Sequence, residues 1–189
     1  QDLEREATPA DRKAYQKVVP LVRLTTLGRI RHPPRDRSYY ETIGRAMRHV
    51  AVAGNTVVCH IGRIPYNEVV AATADFLISM KGVTRCLVSG LHDGMMVVSL
   101  RASYPRPQAD EVMRTILGEE GRGGGHGAIA GGALPCVSEG RYLELSTILN
   151  ERLADLPPRS HGRFHPLLDD DDRLDESGAP LQLGEGERE

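Results

Sequence analysis

The stretch "VTRCLVSGLHDGMMVVSLRAS", residues 83–103, decides the fold. Two runs rich in Val and Leu flank Asp93-Gly94, and Asp-Gly between two such runs is a strong short-range signal of a β-hairpin. Further out, "TVVCHIG" (56–62) and "GALPCVS" (132–138) are short and apolar, which is typical of strands. The sequence therefore predicts a sheet built around the 83–103 hairpin.

Four other segments have apolar residues at helical spacing. This periodicity predicts helices over 39–53, 68–81, 108–117 and 141–156, each with one apolar face. Because helices alternate with strands along the chain, we expect an α/β domain with a mixed β-sheet flanked by helices.

The two ends of the chain differ in composition from the middle. Residues 1–38 are charged and interrupted by prolines, which predicts an N-terminal helical linker arm. Because the sequence starts at Gln1 inside this charged segment, we expect the chain to be the back part of a longer protein. Residues 39–156 form the predicted domain, and 157–189, with four consecutive Asp at 169–172, are predicted to be a disordered acidic tail.

The overall composition is that of a water-soluble domain. No apolar run approaches the roughly 20 residues that a membrane-spanning helix needs, so we expect a cytoplasmic protein without a membrane partner. The three cysteines are far apart among apolar residues, which is typical of buried thiols in a reducing compartment. The net charge is −2, yet residues 1–63 hold 12 Lys+Arg against 6 Asp+Glu. That basic front is either a surface facing an anion or a solvated helix face.

Strand alternation in "VVSLRAS" places Val97, Ser99 and Arg101 on one face of the sheet. A guanidinium in this position can hold a phosphate by two parallel hydrogen bonds. The alternative is an edge-strand arginine that pairs with a carboxylate.

A second candidate is "RGGGHGAIAGG", residues 122–132, with six glycines in eleven positions. It predicts a loop in which the backbone N–H groups of Gly123, Gly124 and Gly125 converge on an anion, with His126 as a further donor. A purely architectural role for the glycines is the first alternative. The second is a dinucleotide-binding oxidoreductase, because 125–130 fits G-x-G-x-x-A and Glu144 lies near the expected ribose-binding offset; that motif must leave a strand and enter a helix.

Together the two motifs resemble the DHH-associated C-terminal domain of the DHH phosphoesterase superfamily, which includes RecJ-type exonucleases, nanoRNases and exopolyphosphatase relatives. The resemblance covers roughly residues 39–156. The residues that match its SLRxS and GGGHxxAAG motifs are Ser99, Leu100, Arg101, Ser103, Gly123, Gly124, Gly125, His126, Ala130 and Gly131. Ile129 departs from the small alanine of the second motif.

The resemblance implies a division of labour between two domains. The C-terminal domain would hold the substrate phosphate through Ser99, Arg101, the three glycines 123–125 and His126. An N-terminal DHH domain of the same polypeptide would hold two manganese or magnesium ions. The chain would then be the substrate-binding part of a metal-dependent phosphoesterase acting on short oligonucleotides or nucleotide phosphates.

The present sequence has no Asp-His-His motif, and a search for clustered Asp and His residues finds only His92-Asp93 and the four aspartates at 169–172. We therefore expect no catalytic residue, metal or cofactor in this chain, and no activity from it alone. The alternative is a non-catalytic nucleotide- or RNA-binding module. The sequence leaves the oligomeric state open.

Overall fold

A computed structural model of the chain describes residues 8–31, 34–103, 108–157 and 162–168, and the chain divides into two compact units, 1–36 and 37–189. The first unit holds helix α1 (Pro9–Val18), a 3₁₀ turn (Val19–Leu21) and helix α2 (Leu24–Arg31). Thr8 caps α1: its hydroxyl accepts from the Asp11 N–H, and the Asp11 carboxylate accepts from the Thr8 N–H. The predicted N-terminal helical segment is confirmed, and its role as a linker stays a prediction.

The second unit alternates helices and strands. In chain order these are α3 (Arg37–Met47), β1 (Val50–Ala53), β2 (Thr56–Arg63), α4 (Glu68–Leu77), β3 (Arg85–His92), β4 (Met95–Ala102), α5 (Ala109–Leu117), β5 (Arg122–His126), β6 (Ile129–Pro135), α6 (Glu139–Asp155) and β7 (His165–Pro166). The strands form one sheet in the order β5-β6-β4-β3-β2-β1-β7, in which β2 and β3 are parallel and every other pair is antiparallel. The predicted mixed α/β fold is confirmed.

The central hairpin forms as the sequence predicts. Asp93 and Gly94 have φ angles of 46° and 73°, the left-handed conformation that matches the twist of a two-residue hairpin. Strand β3 is buried at every position except its last, His92. The strongest apolar run of the sequence therefore becomes an interior strand of the sheet.

The sheet separates two apolar layers. On one face Val57, Cys59, Val88 and their neighbours pack against α3 and α4. On the other face Leu87 and Leu100 join α5 and α6. Burying one Val or Leu side chain contributes about 1.5–3 kcal/mol to the free energy of folding. Both layers therefore stabilise the sheet.

The predicted helix over 39–53 is wrong in its second half. Helix α3 ends at Met47, and Val50–Ala53 is strand β1, which turns at Gly54-Asn55 into β2. Four residues of alternating Val and Ala are compatible with either structure in isolation. Pairing with β2 decides the outcome, because each β1 residue lies opposite a β2 residue.

The sheet also extends into the predicted tail. Within the described residues 162–168, His165–Pro166 pairs with β1, and the Leu167 N–H donates to the Val50 carbonyl at 2.8 Å. The four aspartates at 169–172 lie outside the described residues. The structured domain therefore continues past the predicted boundary at residue 157.

The prediction of a loop at 122–132 is wrong, because this segment is a β-hairpin. Strands β5 and β6 pair along their length around Gly127, which has a φ of 55°. Glycine is a poor strand former, but here close packing requires it. A Cβ atom on Gly123 would lie 2.6 Å from Leu117 Cδ1 and 3.0 Å from the Gly131 carbonyl oxygen. The hairpin can pack against α5 only because Gly123 has no side chain.

This packing predicts opposite outcomes for two neighbouring glycines. Gly123→Ala should lower the free energy of unfolding by about 1–3 kcal/mol, because the methyl group overpacks the contact with Leu117. Gly124→Ala is the matched control: its Cβ would meet nothing within 4 Å, and the expected change is within about 0.5 kcal/mol. Urea denaturation of both variants measures the difference. Equal effects would show that the hairpin does not depend on this contact.

Candidate functional site

Four of the six predicted site residues, Ser99, Arg101, Gly124 and His126, lie on one open face of the sheet, at the end where β4, β6 and β5 are neighbours. In this antiparallel register Arg101 is opposite Ile129, and Ile129 is opposite His126. In the next row, Ser99 is opposite Gly131 and Gly131 is opposite Gly124. Directly opposed residues share a face of the sheet. Ser99 and Arg101 are two positions apart on β4 and also share a face, so both rows lie on the same side of the sheet.

Gly124 and Gly131 leave bare backbone on this face. A Cβ on Gly124 would meet nothing within 4 Å, and one on Gly131 would meet only the Val98 carbonyl oxygen, at 3.8 Å. Ile129 lies beside these two glycines and is 52 % exposed. It occupies the position at which the GGGHxxAAG motif has alanine. The result is a shallow trough between Ser99 and the edge strand β5, which we call the glycine trough.

Gly123 and Gly125 face the opposite side of the hairpin. Gly123 is in contact with Leu117 and Met113, and a Cβ on Gly125 would lie 2.6 Å from the Cβ of Ala130. The first alternative, an architectural role, therefore describes these two glycines. Gly124 is the predicted glycine that lies on the open face.

Arg101 is buried at the inner end of the trough and is already paired. Its side chain is 9 % exposed, and its Nε donates to the Asp75 carboxylate at 2.6 Å. Its Nη1 donates to the Ser99 hydroxyl at 2.7 Å and to the Leu100 carbonyl at 3.2 Å. Asp75 lies on α4 and is 62 % exposed. Arg101 is thus on an interior strand, yet it has the carboxylate partner that the alternative reading expected.

His126 lies at the outer end of the trough, beside the hairpin turn. Strand β6 separates it from Arg101, so the two alpha carbons are two strand spacings apart, roughly 10 Å. The turn is fixed at two points: the Ala102 N–H donates to the Ala128 carbonyl at 2.9 Å, and the Ala109 N–H donates to the Gly127 carbonyl at 3.2 Å. The imidazole is therefore carried by an anchored turn.

Strand β5 is an edge of the sheet formed by the described residues, and all five of its residues are exposed. Backbone N–H groups that point away from β6 have no strand to pair with. These donors lie at the outer rim of the sheet and point away from the trough.

The dinucleotide-binding interpretation does not fit this geometry. Residues 125–130 cross the hairpin turn and continue into strand β6, where that motif requires a helix.

Among the described residues, no group of three His, Cys, Asp or Glu side chains could hold a metal ion. The three cysteines are free and buried, and burial raises the pKa of Cys59 and of Cys86 to about 12. They are packing residues at neutral pH. No helix in the described part of the chain is both long and apolar enough to cross a membrane.

A polar cluster that the sequence did not single out lies on the other face, between the sheet and α6. His60 Nδ1 lies 2.7 Å from the Ser89 hydroxyl, and Nε2 lies 2.9 Å from Asn150 Oδ1. The Tyr142 hydroxyl accepts from the Gly62 N–H and donates to the Ser89 carbonyl. Ser89 is fully buried, so no substrate can reach its hydroxyl. Ser89 and His60 are therefore structural residues. No sequence pattern signals the contact between His60 and Asn150, which are 90 positions apart.

No model of a known protein family matches the sequence. An uncharacterized protein from Methanocaldococcus jannaschii is 26 % identical over 133 residues, a match that covers 70 % of this chain and 27 % of that protein. An exopolyphosphatase-related protein from Bacteroides fragilis has a similar structure, with a TM-score of 0.57, 17 % identity, and coverage of 75 % of this chain and 43 % of that protein.

The chain and the exopolyphosphatase-related protein share a fold. A solved DHH domain from a member of a family of ribosomal proteins also aligns, at a TM-score of 0.41 and 17 % identity, over 62 % of this chain and 30 % of that one. The chain thus spans less than half the length of each of these relatives. The likeness to the exopolyphosphatase-related protein is one of fold, and membership of the DHH superfamily stays a prediction.

The His60 cluster predicts a pH dependence of stability. Burial lowers the pKa of His60 below its ordinary value of 6.5, so in acid the unfolded chain binds more protons than the folded chain. Stability should therefore fall as the pH drops below about 6.5, by up to about 1.4 kcal/mol per pH unit. We expect His60→Gln to reduce this slope in urea denaturation between pH 7.5 and 5.5. His165→Gln, an exposed histidine on β7, should leave it unchanged, and equal slopes in all three proteins would contradict the assignment.

Proposed function

We propose that this chain is the substrate-binding C-terminal part of a metal-dependent phosphoesterase, and that it holds a phosphate group of a short oligonucleotide or nucleotide phosphate in the glycine trough. The observation that carries the proposal is the bare backbone of Gly124 and Gly131 next to Ser99, with Arg101 at one end and His126 at the other. An oxyanion can approach backbone this closely only where side chains are missing.

Each residue has a distinct role in this proposal. His126 donates a hydrogen bond to the phosphate from the exposed side. Ser99 is 5 % exposed at the floor of the trough and accepts a hydrogen bond from Arg101, which leaves the serine's own O–H to donate. Arg101 provides positive charge from below, and Asp75 keeps its guanidinium in place.

The chemical step belongs, in this proposal, to an N-terminal DHH domain of a longer polypeptide, where manganese or magnesium ions would activate the attacking water. The described residues of this chain would contribute binding and orientation. A cytoplasmic location is part of the proposal, and the three free thiols are consistent with it.

The first test is calorimetric titration of the chain with phosphoadenosine phosphate and with a dinucleotide. We expect His126→Ala to weaken binding about tenfold, the loss expected for one charge-assisted hydrogen bond. His165→Ala is the matched control because it removes an exposed histidine from the far edge of the sheet. Equal affinity of wild type and His126→Ala would refute the assignment of His126.

The two function classes differ in activity rather than in binding. If the longer polypeptide hydrolyses the same ligands and the His126→Ala change in it alters KM, the phosphoesterase is supported. Binding without hydrolysis by the longer polypeptide would favour the non-catalytic module.

Asp75 gives a second prediction, in which the substitution strengthens phosphate binding instead of weakening it. Its exposed carboxylate lies beside Arg101 and repels an incoming phosphate. Asp75→Asn removes the charge but keeps an oxygen that can accept from Arg101 Nε, so we expect binding to tighten about threefold. The same titration measures the change, and Asp110→Asn on α5, whose carboxylate is paired with Arg114, is the control. Weaker binding by Asp75→Asn would mean that the ion pair itself is required to position Arg101.

A further inference from the structure

A cleft of about 330 Å³ lies at the carboxyl end of β2, between that end and one side of α3. It is lined by Ser38, Glu41, Thr42, Arg45, Arg63, Ile64 and Pro65. In the sheet register Arg101 lines up with Cys86 and Val57, near the start of β2, whereas Arg63 is the last residue of that strand. The cleft is therefore about six residues, or roughly 20 Å, along the strand from the Arg101 row.

Arg45 is the unusual member of this cleft. Its Nη2 donates to the Arg63 carbonyl at 2.5 Å, but its Nε is buried and has no hydrogen-bond partner. In the part of the chain that the structure describes, no other buried side-chain nitrogen or oxygen lacks a partner. Buried polar groups are normally satisfied, so a guanidinium N–H left without an acceptor at the wall of a cleft indicates a missing acceptor.

The neighbouring charges leave Arg45 without a carboxylate. Glu41 pairs with Arg37 at 2.8 Å. Glu139 pairs with Arg63 at 2.7 Å, and both side chains of that pair are 70 % exposed. No carboxylate in the described residues forms an ion pair with Arg45, and Glu41, which also lines the cleft, is paired with Arg37.

The rest of the lining adds donors of the same kind. Ser38 and Thr42 line the cleft along the same side of α3 as Arg45. Arg63 adds a second guanidinium at the rim. These donors suit a compact oxyanion with several acceptor oxygens better than a neutral molecule.

We propose that this cleft is a second anion site that binds a phosphate group, with Arg45 as its main ligand and Arg63 at the rim. A phosphate oxygen supplies the acceptor that Arg45 Nε lacks, and the side chain shifts toward the cleft to reach it. The proposal depends on none of the residues of the glycine trough.

The test is an NMR titration of the whole chain with inorganic phosphate, following backbone amide shifts. The amides of Thr42, Arg45 and Ile64 report on the cleft, and those of Gly124 and His126 report on the trough. We expect a saturable shift at the cleft amides that Arg45→Gln weakens about tenfold or more, the loss of one charge-assisted hydrogen bond.

One variant serves as a control and two more test the cleft further. Arg48→Gln removes the same charge from an exposed position just after α3 and should leave the cleft shifts unchanged. Arg63→Gln is a second, exposed test of the cleft and should weaken binding without affecting the fold. Arg45→Lys keeps the charge but loses the planar donor pair, so it should recover only part of the affinity.

Absence of saturable shifts at the cleft amides, or shifts that Arg45→Gln and Arg63→Gln leave unchanged, would overturn the proposal. Because the trough amides are read in the same spectra, failure of one site is distinguishable from failure of the other. Shifts confined to Gly124 and His126 would support the proposed function and reject the second site.

Discussion

The contact between the glycine hairpin and α5 is the constraint on which the rest of the domain depends. Strands β5 and β6 lie close enough to Leu117 and Met113 that a single methyl group on Gly123 would collide with them. Glycine is therefore required on the inner side of the hairpin for packing alone. Once that side is fixed, strand alternation assigns Gly124 and Gly131 to the outer side, where no packing requires them. The open trough exists because these two outer residues are glycines. The contact with α5 does not explain why they lack side chains.

The polar groups around this open face differ in exposure. Arg101 is buried and held by three acceptors, whereas His126 and Asp75 are exposed. A phosphate in the proposed trough would meet one buried cation and one exposed donor, beside a carboxylate that competes for the cation. This arrangement favours reversible binding over very tight capture, because part of the positive charge is already neutralised. Arg45, in contrast, has no carboxylate partner among the described residues.

The sequence predicted those parts of the fold that depend on local pattern. The Asp93-Gly94 hairpin was predictable because only a left-handed pair of residues closes such a turn. The face shared by Ser99 and Arg101 followed from strand alternation. The strands of 122–132 were missed because a glycine-rich segment has no strand propensity of its own, and only pairing with β4 and packing on α5 stabilise them. Strand β1 was missed because "VAVA" is too short to show whether its period is that of a helix or a strand. Only its pairing with the start of β2 makes it a strand.

The partners of the site residues were beyond the reach of the sequence. Asp75 is 26 positions from Arg101, and nothing in its helix distinguishes it from other exposed acidic residues. The unsatisfied nitrogen of Arg45 is a property of three-dimensional surroundings. Whether the glycines, Ser99, Arg101 and His126 bind phosphate stays a prediction, because the fold places four of these residues on one face without identifying a ligand.

The hairpin turn has a mechanical consequence. Its two carbonyl groups, on Gly127 and Ala128, accept hydrogen bonds from the first residue of α5 and from the last residue of β4. The turn that carries His126 is thus tied to a helix end and to the strand of Arg101 by backbone hydrogen bonds. Local opening of the first turn of α5 would release one of these bonds and let the imidazole move away from the trough. Binding at His126 should in turn slow amide hydrogen exchange at Ala109, so the start of a helix packed against the other face of the sheet would sense occupancy of the trough.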